Sequence, residues 1–261
     1  MTTGGVTAKT DVADARRAVD ANPRWYHTIE VAPEVVTPGL VDLRRIAPKL
    51  LPADLSGTRA LDCGTFDGFW AFELERRGAE VAAIDVEKLE LAEWPPLRRP
   101  QLERKIAPMN VALGQGFRIA AGLLGSNVRR YECNIYDLSP GAVGGEVDLA
   151  FCGALLQHLR DPVRALERIL TTMRPGGQLI ACEQISLLDT LRAPRTPVAR
   201  FSAVRTNFSW WIPNYAALWS WLVAAGFQDV RRLGVHRVRA HERSVRNWVC
   251  GVEATRPSAI R

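Results

Sequence analysis

Lysine is scarce in this chain. Only Lys9, Lys49, Lys88 and Lys105 stand among 34 basic residues, and the others are arginine. A net charge of +6 suits an anionic partner such as RNA. The arginines, however, fall in scattered pairs: Arg16-Arg17, Arg44-Arg45, Arg98-Arg99, Arg129-Arg130 and Arg231-Arg232. Scattered pairs read first as solvated surface, so nucleic acid is the less favoured partner. Cysteine is also sparse. Cys63, Cys133, Cys152, Cys182 and Cys250 make no CxxC pair and no His/Cys cluster, which argues against a disulfide framework and against a metal site. Each sits in or at the end of an apolar run, as small core residues do. No stretch approaches the ~18 apolar residues of a membrane span. The first ten residues are polar and small, without the apolar segment of a signal peptide. The expectation is a soluble cytoplasmic protein with a frayed start, lacking repeats and low-complexity tracts.

With 261 residues, 47% of them hydrophobic, the chain can bury one large α/β core, with or without a small cap. Its most informative stretch runs Ala60-Leu61-Asp62-Cys63-Gly64-Thr65-Phe66-Asp67-Gly68-Phe69-Trp70. It reads as a buried strand, a glycine turn and a helix start. Gly64 allows a sharp turn and close approach of backbone to ligand; Gly68 allows the helix to pack near the strand. Asp85 ends a second apolar run, Val81 to Ile84. An acid about 20 residues past such a turn can hydrogen-bond ribose hydroxyls. Asp62 and Asp67 flank the glycines, so carboxylates face the ligand where a pyrophosphate needs bare N–H groups. That loop suits a cationic nucleoside, and S-adenosylmethionine is one.

A short amphipathic helix is expected over residues 11–20 and a helical turn over 40–46. From residue 56 strands and helices alternate. Strands are predicted at Arg59–Cys63, Glu80–Asp85, Val128–Cys133, Val147–Cys152 and Gln178–Glu183, and helices at Asp67–Arg77, Gln115–Leu124, Pro162–Met173 and Asn214–Ala225. Two final strands, Gln228–Gly234 and Asn247–Glu253, lack a helix between them and form an antiparallel edge hairpin. Near-continuous apolar strands alternating with helices mean a mostly parallel sheet covered on both faces. The division expected is an N-terminal cap over 1–55 and a main domain over 56–255, with a lid insertion at 184–213.

This arrangement resembles the class I, Rossmann-like S-adenosylmethionine-dependent methyltransferases, with their seven-stranded, mostly parallel sheet and antiparallel edge hairpin. The resemblance narrows with Trp25 to Glu30, Thr37-Pro38-Gly39, Asp42-Leu43-Arg44, Trp94-Pro95-Pro96, Leu123 to Ser126, Gly153 to Pro162 and Asn207 to Pro213. These segments are similar to the tRNA 5-methoxyuridine (wobble uridine) methyltransferase-like family. Members acting on the wobble uridine hold a carboxylated cofactor with a lysine, arginines and a tyrosine. The loop Leu156-Gln157-His158-Leu159-Arg160 departs from the Tyr-His-Arg-Arg pattern expected for that task, and the N-terminal region is short for an RNA-holding extension. Ordinary S-adenosylmethionine and a small acceptor are therefore favoured, with transfer to an oxygen or nitrogen in specialised metabolism. Alkyl transfer to the wobble uridine of tRNA, and a cyclisation or rearrangement on the same fold, are the alternatives.

Ligands of open α/β sheets bind beyond the carboxyl ends of the strands, at the switch point. By resemblance, Asp62 and Gly64 hold the amino-acid moiety, Asp85 the ribose, and Asn134 with Ile135 the adenine; Thr65, Phe66 and Cys152 are further cofactor-binding candidates in the same crevice. S-adenosylhomocysteine is the product. A near-neutral imidazole suits the removal of the acceptor's proton, so His27 or His158 is the expected base, while His236 and His241 read as surface residues. Trp25, Tyr26, Trp210 and Trp211 lie in the cap and insertion, where aromatic rings can stack on a substrate. Arg205 and Asn207 are candidates to anchor a carboxylate or carbonyl. No metal, no membrane contact and a homodimer complete the expectations.

Overall fold

The computed structural model describes residues 11–88, 91–106, 113–204, 209–240 and 248–258. Asp11 opens the first helix, α1 (Val12–Asp20), its side chain accepting from Ala13 N. The cap continues as short strands β1 (Glu30–Ala32), β2 (Val35–Val36) and β3 (Val41–Asp42), then the one-turn helix α2 (Ala47–Leu50). The helical turn expected over 40–46 is thus partly strand. Val41 N donates to the Tyr26 carbonyl and Thr28 N to the Val41 carbonyl, so this backbone is paired before it can coil.

The main sheet holds β4 (Arg59–Cys63), β5 (Glu80–Asp85), β6 (Arg129–Glu132), β7 (Val147–Gly153), β8 (Met173–Ile185), β11 (Gln228–Arg237) and β13 (Trp248–Thr255), in the order β11-β13-β8-β7-β4-β5-β6. Strands β6, β5, β4, β7 and β8 are parallel, and β13 and β11 are antiparallel to their neighbours. The strand order reverses at β4, which pairs with β5 on one side and β7 on the other. Helices α3 (Phe69–Glu75), α4 (Arg99–Ile106), α5 (Gln115–Leu124), α6 (Pro162–Thr172), α7 (Leu187–Arg192) and α8 (Tyr215–Ala224), strands β9 (Ala199–Phe201) and β10 (Trp211–Pro213), and β12 (Arg239–Ala240), paired with β3, complete the chain. The seven-stranded, mostly parallel sheet with an antiparallel edge is the fold expected.

The period-two alternation of the strands divides the core. Ala60, Leu149 and Phe151 face one side with Phe69, Trp70, Phe72 and Phe117; Leu61, Cys63, Ala150 and Cys152 face the other with Leu166, Ile169, Leu218 and Leu222. The cap's Trp25, Ile29, Leu43, Ile46 and Leu50 join the first of these clusters. Helix α6 starts where sequence logic puts it: the Asp161 side chain accepts from Arg164 N, and Pro162 occupies the first turn. Strand β8 begins earlier than the predicted Gln178. Met173 pairs with Val147, and a register shift before Leu149 absorbs the Arg174-Pro175-Gly176-Gly177 turn. Within 184–213, residues 184–204 and 209–213 carry regular elements, α7, β9 and β10. Asn214 caps α8 through Ala217 N and donates to the carbonyls of Ala193 and Thr196, fixing the insertion to the helix that follows it. All five cysteines are free, and no helix among the described residues is long and apolar enough to cross a membrane.

Candidate active site

The glycine turn after β4 is tied to the adjacent strand. Gly64 N and Thr65 N both donate to the Ile84 carbonyl at 3.0 Å. Gly64 has φ +74°, and the next turn residue but one, Phe66, has φ +47°. Across the switch point, Ala154 after β7 has φ +52°. Two non-glycine residues in the left-handed region, one on each flank of the crevice, are strain held by the surrounding fold. Leu155 lies over Gly64: a Cβ there would meet its Cδ1 at 3.1 Å. The floor of the glycine turn is therefore bare backbone.

The acids of this region have different partners. Asp85 accepts from Phe66 N and Val86 N, both at 2.7 Å, so it braces the loop from the end of β5; burial raises its pKa. Asp62 is 1% exposed. One of its carboxylate oxygens has no partner, and burial pushes its pKa up to about 7. Asp67 does not face the ligand as the sequence suggested. Its Oδ2 accepts from Tyr26 N at 2.6 Å and His27 N at 3.1 Å, so the carboxylate clamps the cap to the glycine turn, and burial raises it to about 6.

The two expected bases differ sharply. His27 is 6% exposed, with its ring centroid 4.8 Å from that of Tyr26 and 5.8 Å from that of Phe69. Burial lowers its pKa to about 3 and its Nδ1 has no partner. An imidazole that weakly basic is mismatched to taking up a proton near neutral pH. His158 ends a short 3-10 turn over Leu156–His158, half-buried, with Nε2 3.2 Å from the Gln157 amide nitrogen. His236 is also half-buried, in β11, and not a plain surface residue; its Nε2 is buried without a partner. His241 lies outside the described residues.

The remaining candidates divide by burial. Asn134 accepts from Tyr136 N at 3.0 Å, capping a turn over Ile135–Asp137. Ile135 and Cys152 are core residues, and the Cys152 thiol donates to Glu183. That thiol is engaged by Glu183 and is not left for a ligand, contrary to the expectation for Cys152. Trp25 is 3% exposed, with Nε1 donating to the Val19 carbonyl, and offers no open face for stacking. Tyr26 stands edge-on to Phe66 at 5.6 Å. Trp210 and Trp211 are half-buried; the Arg160 guanidinium lies 4.7 Å from the Trp210 ring, and Trp211 Nε1 donates to the Arg160 carbonyl. Arg205 and Asn207 lie outside the described residues.

Two features escaped the sequence reading. Glu93 accepts from the Tyr136 hydroxyl and from Arg160 N, both at 2.7 Å, and its carbonyl accepts from Trp210 Nε1. One residue thereby gathers the segments that follow β5, β6 and β7 with the insertion. The second is Glu183 near the end of β8, 1% exposed, its Oε1 accepting from Leu155 N at 3.0 Å. A single acid closing an apolar strand was its only signal.

Buried polar atoms without partners gather around the carboxyl ends of these strands: Asp62 Oδ2, Thr65 Oγ1, Gln157 Oε1, Glu183 Oε2 and, from the cap, His27 Nδ1. Folded proteins rarely leave such atoms unpaired; at a switch point they mark a polar ligand. Two of these five residues are carboxylic acids and none carries a positive charge, which suits a sulfonium with an α-amino group. The donor set therefore fits S-adenosylmethionine.

The methyltransferase domain family matches residues 40–232. The chain belongs to that family. The tRNA U34 carboxymethyltransferase of Ectopseudomonas mendocina (strain ymp) is 26% identical over 207 residues, 79% of this chain and 55% of that protein. The chain thus spans about half the length of the curated relatives it matches. The N-terminal domain of EvdMO1, solved in the presence of S-adenosylhomocysteine and D-fucose, shares the fold at a TM-score of 0.53 and 15% identity, covering 97% of this chain and 100% of that one. The [4+2]-cyclase SpnF does so at 0.54 and 16%, covering 95% and 94%. The expected methyltransferase domain is thus present.

Proposed function

We propose that this methyltransferase acts on an oxygen or nitrogen of a small molecule, using ordinary S-adenosylmethionine. The observation that carries the reading is the ring of buried, unpartnered polar atoms in an acid-rich crevice. Asp62, Asp85 and Glu183 make it acidic, which favours a cationic cofactor and opposes one bearing an additional carboxylate. In this reading Asp62, Gly64, Thr65 and Phe66 hold the amino-acid end, Asp85 the ribose hydroxyls, and Asn134 with Ile135 the base. The cofactor supplies a methyl group already activated by the sulfonium. The protein's part is alignment and exclusion of water. Tyr26 and His27 cover the turn from the cap side, and Trp210 and Trp211 are held by Glu93 and Arg160 against the segments that follow β5 and β7.

A second reading is transfer to tRNA, and on the names of the curated relatives alone it is the better supported. A cleft of about 330 Å³ beside the cap adds to it, lined by Arg45, Lys49, His236, Arg237 and Arg239 together with Asp42. A methyl-label experiment separates the two. The protein is incubated with methyl-labelled S-adenosylmethionine and either a small-molecule extract of its host or bulk tRNA. Label in the small-molecule fraction supports the first reading; label confined to tRNA overturns it in favour of the second.

A further inference from the structure

We propose that Glu183 faces the reacting centre, as a counter-charge to the sulfonium and as acceptor of the proton that the methyl acceptor gives up. The inference deepens the methyltransferase reading and rests on it. Three observations carry it. Glu183 lies near the carboxyl end of β8, beside the β7 turn whose Leu155 covers Gly64. Its Oε1 is fixed by Leu155 N at 3.0 Å and the Cys152 thiol at 3.4 Å, while Oε2 is buried and unpartnered. Finally, no ion pair reaches it among the described residues, so its charge is left for a ligand.

The groups that face it leave it no cation. They are Cys152 on β7, Cys250 opposite it on β13, the backbone N–H groups of Leu156 and Gln157, and Tyr26 in the cap, whose pKa rises through burial and then through the charges of Asp67 and Glu183; Cys182, its neighbour on β8, points to the other face of the sheet. Asp62 lies beyond Cys152 and adds negative charge. Burial sets Glu183 at about 7, where a carboxylate can both hold and release a proton under working conditions. His27, at about 3, cannot. In the step, a lone pair of the acceptor oxygen or nitrogen forms the bond to the methyl carbon. The C–S bond breaks with its electron pair passing to sulfur, and the acceptor's proton passes to Glu183 Oε2. The products are the methylated acceptor, neutral S-adenosylhomocysteine and a protonated Glu183.

The test needs no acceptor. Calorimetric titration at neutral pH, in two buffers of different ionisation enthalpy, counts protons exchanged on binding S-adenosylmethionine and S-adenosylhomocysteine. A cation beside Glu183 lowers its pKa, so the wild type releases protons to S-adenosylmethionine and fewer to S-adenosylhomocysteine. In Glu183→Gln the difference vanishes, and affinity for S-adenosylmethionine falls about tenfold while that for S-adenosylhomocysteine holds. Asp62→Asn retains the difference. Release that persists in Glu183→Gln, or that disappears only in Asp62→Asn, overturns the inference. If the glutamine variant does not fold, carboxyl-labelled glutamate in the wild type gives the answer by NMR. One glutamate titrating near neutral pH and displaced by S-adenosylmethionine upholds the proposal; none doing so overturns it. Failure of both ligands to bind the wild type overturns the methyltransferase reading itself, whereas binding without a Glu183 linkage overturns only this one. For any acceptor found by label transfer, turnover rises with pH through a limb that Glu183→Gln removes.

Discussion

At the scale of single residues, burial decides what each side chain can do. His27 is the clearest case. The sequence offered it as a base because imidazole ordinarily titrates in the working range, and that property is what the cap's aromatic surroundings remove. Its effect on stability has a definite sign. The folded state keeps it neutral down to about pH 3, while the unfolded chain protonates near the ordinary 6.5. Between those values the unfolded state binds the extra proton, so this residue's contribution falls as pH drops, by at most about 1.4 kcal/mol per pH unit. His27→Phe should gain on the wild type at pH 5 relative to pH 8 in denaturant titrations; an equal difference at both values would contradict the assignment. Asp67 makes the converse point. It looked like a ligand group from its place beside the glycines, and only the three-dimensional return of the cap, some 40 residues upstream, shows that its partners are backbone N–H groups. Asp67→Ala leaves Tyr26 N and His27 N unpaired in a buried setting and should destabilise by about 1–3 kcal/mol, read from chemical denaturation.

At the scale of elements, the β-α alternation was legible because buried parallel strands need continuous apolar runs, and Ala60 to Cys63, Val81 to Ile84 and Val147 to Cys152 supply them. The cap strands were not legible. Segments such as Val41–Asp42 are two residues long, and their pairing depends on distant backbone. The insertion was equally opaque, since Asn214 orders it through contacts 18 and 21 residues away. Glu183 and Glu93 escaped for a related reason: nothing local distinguishes a strand-end or loop glutamate from a solvated one. Cap docking has its own test. A Cβ at Gly39 would run into the His27 carbonyl group and Thr28 N, and backbone cannot move aside as a flexible side chain can. Gly39→Ala should lower stability by about 1–3 kcal/mol and weaken cofactor binding with it. Unchanged melting and affinity would mean that Gly39 does not pack against His27 and Thr28 as described.

At the scale of the whole molecule, the sheet brings every chemical feature to one end. The switch point at β4, the two strained turns, the buried acids, the cap and the Glu93 clasp converge there. The basic cleft beside the cap is the feature that leaves the acceptor's class open to contest. If the acceptor is small, turnover should be nearly insensitive to salt between ~50 and ~200 mM, because phosphate contacts are what make nucleic-acid binding fall steeply over that range. A steep fall, reduced further by Lys49→Glu, would favour tRNA. Cofactor binding is independent of the acceptor and can be tested first. Calorimetric titration with S-adenosylmethionine should show saturable one-to-one binding, and Asp85→Ala should weaken it by about 1–3 kcal/mol. No binding by the folded wild type, or binding indifferent to Asp85, would contradict the account.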